Sequence, residues 1–125
     1  MKETRNWTWH IVAGAFIFVF LGLHMIVMHL DDVVGLFTSG VGATDWESVL
    51  GRSRMSFFAV TYVLLLGAAL YHGLFGLRSI LFESNVGRAW QKAINVLFWL
   101  GGLCLFAVGV FQAVTTFLHA NAAVG

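Results

Sequence analysis

Three long stretches of this 125-residue chain contain no Asp, Glu, Lys or Arg: Asn6 to Leu30, Met55 to Leu77, and Ala93 to the C-terminus. A helix needs about 20 apolar residues to cross a bilayer, and each stretch is long enough. Hydrophobic residues make up 59% of the chain and charged residues 10%, against roughly a quarter charged in a soluble domain. A soluble fold of this size could not hide so much apolar surface. The expectation is an all-α integral membrane protein of three transmembrane helices, at about residues 7–30, 55–82 and 91–119, forming one domain over 1–125. Lys2 and Arg5 precede the first stretch as they would in a signal peptide. Its apolar core far exceeds the roughly 7–15 residues of such a signal, so it reads as a retained helix. Proline is absent throughout, which removes the commonest cause of a helix kink.

The charges set an orientation. Lys2 and Arg5 flank the first helix, and Arg78, Arg88 and Lys92 lie in the second connection; the first connection holds only Arg52 and Arg54. Basic residues favour the cytoplasmic side and acidic ones count for little. The N-terminus and the second connection are therefore expected inside and the C-terminus outside. Trp7, Trp9, Trp46 and Trp90 fall at or near helix ends, where an interfacial aromatic belt would place them. Within the first connection, Thr44 to Leu50 has the pattern of a short interfacial helix, with Trp46, Val49 and Leu50 on one side. A net charge of +1 without a basic run gives nucleic acid nothing to bind.

Histidines carry the chemical information, because an imidazole in hydrocarbon is costly unless it bonds something. There are five: His10, His24, His29, His72 and His119. His72 lies roughly 9 Å along a helix from Arg78. Ala68, Ala69 and Gly76 share its face and Gly73 adjoins it. Small residues above and below an imidazole leave a flat gap that admits a porphyrin plane. They equally allow close helix packing with His72 bonded to a neighbour, and both readings stand. His24 lies about 27 Å along the first helix, toward the opposite face, so one haem cannot take both as ligands. Its neighbours Phe20 and Met28 leave less room, and on residues alone a bond to another helix is the better account. His10 and His119 sit near helix ends and read as interfacial.

The second connection gathers Arg78, Ser79, Glu83, Ser84, Asn85 and Arg88 at the inner surface. A quinone head group needs donors for its carbonyls and a proton source at the edge of an apolar cavity. These residues supply both, as does an ordinary solvated loop; an arginine there also suits haem propionates. Cys104 stands alone in an apolar run and reads as a small hydrophobe. No Ser/His/Asp set, phosphate loop or intramembrane carboxylate pair suggests catalysis by this chain alone.

The run Ala68-Ala69-Leu70-Tyr71-His72-Gly73-Leu74-Phe75-Gly76-Leu77-Arg78 resembles helix two of the membrane anchors of succinate dehydrogenases and fumarate reductases, where an axial haem histidine is followed by small and apolar residues. Glu83-Ser84 falls where the small anchor of ubiquinone-reducing enzymes has an Asp-Tyr pair bordering the quinone; Glu83 keeps the acid and Ser84 replaces the tyrosine. Gly22-Leu23-His24-Met25 is similar to the helix-one segment that binds the outer haem in di-haem anchors. The resemblance implies one or two haems b, with His72 and His24 as iron ligands and the second axial histidines from another membrane subunit. It further implies a quinone, menaquinone or ubiquinone, bordered by Arg78, Glu83 and Ser84.

The function this implies is the membrane anchor of a succinate:quinone oxidoreductase, or of its fumarate-reducing relative, in the cytoplasmic membrane. A flavoprotein and an iron–sulfur subunit would be its partners, the chain itself being non-catalytic alone. A haem-free structural anchor is the chief rival. A small transporter subunit ranks third, since it wants intramembrane carboxylates or broken helices that the sequence lacks.

Overall fold

The computed structural model describes residues 2–26, 29 and 45–122. Helices α1 (Lys2–Met25), α2 (Trp46–Ser53), α3 (Ser56–Glu83) and α4 (Arg88–Ala122) account for most of them. The three long helices are apolar and long enough to cross a membrane. At 1.5 Å per residue, α4 is about 52 Å long and outreaches the roughly 30 Å hydrocarbon core. Helix α1 starts at Lys2, before the expected residue 7, and the rest of its expected span to residue 30 runs into positions outside those described. The interfacial helix starts at Trp46 and continues to Ser53; Thr44 is outside the described residues.

Helix α3 packs against both α1 and α4, and among the described residues the backbones of α1 and α4 do not come together. The connection from α3 to α4 explains their antiparallel pairing. Ser84 closes α3 with its backbone N–H donating to the Leu81 carbonyl, and its hydroxyl donates to the Ile80 carbonyl at 3.4 Å. Asn85 then takes φ 55°, a left-handed conformation that asparagine tolerates better than most residues. Gln91, in the first turn of α4, ties the helix to the turn before it, its amide Nε2 donating to the Val86 carbonyl at 3.1 Å. At the other end Arg54 Nε donates to the Ala120 carbonyl at 3.0 Å, pinning the last turn of α4 to the α2–α3 corner.

Ala120, under that pin, is the only fully buried hydrophobic residue described, whereas Phe18, Phe111 and Trp99 are two-thirds or more exposed. Exposure on this scale would precipitate a protein in water; in a bilayer it is the lipid-facing surface. Without a hydrophobic drive between helices in lipid, association depends on close contact and small residues. Gly102 meets the Leu74 side chain so closely that an added Cβ would stand 2.8 Å from it, and Gly109 faces Leu66 more tightly still. These contacts set the α3–α4 register.

Candidate functional site

The α1–α3 contact is built around two histidines and two glycines. His10 and Gly14 stand one turn apart on α1, as His72 and Gly76 do on α3, which places each pair on one helix face. With the helices antiparallel, each imidazole lies over the other helix's glycine. A Cβ on Gly14 would stand 2.9 Å from His72 Cε1, and one on Gly76 would stand 3.3 Å from His10 Cε1. The rings stack with centroids 4.0 Å apart and planes 4° from parallel. Trp7 and Phe75 close round His10, with ring centroids at 5.7 Å and 5.3 Å.

A hydrogen bond fixes the state of one ring. His72 Nδ1 lies 3.1 Å from the His10 carbonyl oxygen. A carbonyl only accepts, so Nδ1 carries the proton and donates. In the neutral ring that leaves the lone pair on Nε2. Metal-bound histidines use the same device, the second nitrogen donating to a carbonyl and orienting the ring. Gly14 makes the bond possible, because a Cβ there would also come within 3.2 Å of His72 Nδ1. His10 Nδ1, by contrast, is buried with no hydrogen-bond partner among the described residues.

Around His72 the expected gap is divided. His10 occupies the Gly76 side, while Gly73 has nothing within 4 Å of where a Cβ would be, and Ala69 is exposed beside it. Ala69 and Gly73, next to His72 on α3, are therefore not covered by another helix. His24 stands well away, about 21 Å along α1 from His10, with its ring edge-on to Tyr62 at 5.7 Å and 86°. Tyr62 also lines a cleft of about 360 Å³ between α2, α3 and α4, with Gln112 and Thr116 opposite. Of the residues singled out in the sequence, Val49 lines that cleft and none of the histidines does.

At the α3–α4 corner the expected cluster separates. Arg78 Nε donates to Asn95 Oδ1 on α4, and its guanidinium lies 4.2 Å from the centre of the Phe82 ring. Glu83 and Ser84 are exposed at the α3–α4 corner. Tyr71 OH donates to the Asn6 carbonyl at 3.1 Å, tying α3 to the start of α1. Cys104 is exposed on α4.

Two residues escaped the sequence reading. His10 was placed at an interface and is the stacking partner of His72; the repeated His-x-x-x-Gly spacing on α1 and α3 was the signal for it. Asn95, the acceptor for Arg78, gave no such signal beyond being a polar residue in an apolar run. Among the described residues no group of three or more His, Cys, Asp or Glu could hold a metal ion. A haem would need an imidazole nitrogen and not such a cluster, and the bond from His72 Nδ1 leaves Nε2 as the nitrogen that would serve.

The chain is 27% identical over 109 residues to the "succinate dehydrogenase hydrophobic membrane anchor subunit" of Archaeoglobus fulgidus, covering 87% of this chain and 86% of the relative. This chain resembles a succinate dehydrogenase membrane anchor. A match of such breadth cannot come from one apolar helix, and it agrees with the resemblance carried by the residues around His72. No family model matches the chain, and no solved structure does.

Proposed function

We propose that this chain is a membrane-anchor subunit of a succinate:quinone oxidoreductase, or of a quinol:fumarate reductase, holding haem b and bordering the quinone site. The likeness to the anchor subunit of A. fulgidus along most of both chains carries the reading. In it, the chain docks a flavoprotein and an iron–sulfur subunit onto the cytoplasmic membrane beside a second membrane subunit. The basic residues of the N-terminus and of the α3–α4 corner favour the cytoplasmic side for both.

His72 is the inner haem ligand through Nε2, and the bond from Nδ1 to the His10 carbonyl supports it by holding the tautomer and the ring. His24 is the ligand at the outer level. Held by His72 or by His24, haem b would supply one-electron transfer. Arg78 offers positive charge at the inner end, and Glu83 and Ser84 at the exposed corner border the quinone, Glu83 as proton donor.

A haem-free structural anchor is the second reading, favoured by the closeness with which His10 and His72 occupy one another. The intact complex separates the two. A reduced-minus-oxidised spectrum should show a b-type signal, and His72→Ala should remove the inner haem while the complex still assembles. An assembled wild-type complex without that signal would leave only the structural role.

A further inference from the structure

Arg78 is a cation on an apolar helix, half-buried and held by a neutral group. Its Nε donates to the amide oxygen of Asn95, and Phe82 lies against its face at 4.2 Å. No described residue accepts from its terminal nitrogens. Glu83, the nearest acid in sequence, is exposed at the last residue of the helix.

We propose that Asn95 is a positioning residue: it fixes the Arg78 guanidinium with its charge intact and its terminal nitrogens available to an oxygen that is, or becomes, negative. The inference rests on the anchor reading, which offers two sources of that oxygen, a haem propionate and a quinone carbonyl as it is reduced. A carboxylate in the place of Asn95 would hold the guanidinium equally well but offset its charge. An amide oxygen orients it and leaves the full positive charge to act elsewhere. The Phe82 ring restricts rotation about the remaining axis through a cation–π contact. Asn95 itself would be costly in an apolar helix without this bond. Because α3 and α4 are joined by the short turn at residues 84–87, Asn95 and Arg78 keep their register without help from another subunit.

The test uses the intact purified complex with Asn95→Leu, Arg78→Leu and the double variant. Haem content, haem midpoint potential, and KM and kcat for a short-chain quinone are measured in each. Asn95→Leu should retain haem. It should raise KM about tenfold with kcat little changed if the oxygen is the quinone's, or lower the haem potential if it is a propionate. The double variant should be no worse than Arg78→Leu alone, because Asn95 acts only through Arg78. Unchanged KM and potential in Asn95→Leu, or effects that add fully in the double variant, would overturn the proposal. Should the leucine variants fail to assemble, Asn95→Asp keeps the acceptor in place and offsets the charge. It should then reproduce the shift in KM or potential, and wild-type values in it would equally overturn the proposal. A wild-type complex with neither haem nor quinone turnover would sink the anchor reading itself; one with both, and silent Asn95 variants, would sink only this proposal.

Discussion

Gly14→Ala adds one methyl group to α1 directly against the His72 ring. The new Cβ would stand 2.9 Å from His72 Cε1 and 3.2 Å from Nδ1, whereas non-bonded carbons rest about 3.5–4.0 Å apart. The ring must therefore retreat by roughly half an ångström or more. Its bond to the His10 carbonyl is already 3.1 Å long, and such a displacement takes it beyond useful length. Loss of that bond costs about 1 kcal/mol, and overpacking of the interface adds about 1–3 kcal/mol. The expected result is lower thermal stability of the purified complex and, on the anchor reading, reduced occupancy or altered spectrum of the haem at His72. Gly101→Ala is the control, since a Cβ there meets nothing within 4 Å. If Gly14→Ala matched both wild type and the control in melting temperature and in haem spectrum, the claim that Gly14 seats the His72 ring would be wrong.

Two further outcomes are expected. Glu83→Gln should slow quinone reduction by the complex while haem content stays near wild type, because Glu83 lies at the exposed corner and not beside His72; unaltered turnover would move proton donation elsewhere. Arg54→Ala should loosen the last turn of α4, by about 1 kcal/mol for one side-chain bond to a carbonyl, visible as faster hydrogen exchange around Ala120 with the α1–α3 contact unaffected.

The transmembrane spans were legible because lipid demands an unbroken apolar run, and nothing else in a chain of this length imposes one. Trp46, Val49 and Leu50 likewise announced α2 by their shared face. Pairings between helices left weaker traces. In lipid a contact rests on small residues and single polar bonds rather than on apolar burial, so the hydropathy pattern says little about which faces meet. His72 stood out for its small neighbours, yet those neighbours do two different things: Gly76 admits His10, while Ala69 and Gly73 stay open. Periodicity alone could not divide them. Arg78 was read as part of an inner polar cluster with Glu83 and Ser84; its bond runs instead across to α4, to an asparagine whose role depends on the register of two helices.

That division bears on how many imidazoles this chain can give one haem. His10 and His72 lie at the same level, which at first suggests a ready bis-histidine pair. Axial ligands, however, approach iron with their nitrogen lone pairs from opposite faces of the macrocycle. His10 and His72 instead face each other flat, 4.0 Å apart and 4° from parallel, which is a stacking contact with no space for a third plane between them. His24 cannot complete the set, lying about 21 Å further along α1 than His10. On the anchor reading, each haem level therefore draws one imidazole from this chain and one from outside it. At the level of His72 the second would come from outside this chain, and Ala69 and Gly73 are exposed there on α3.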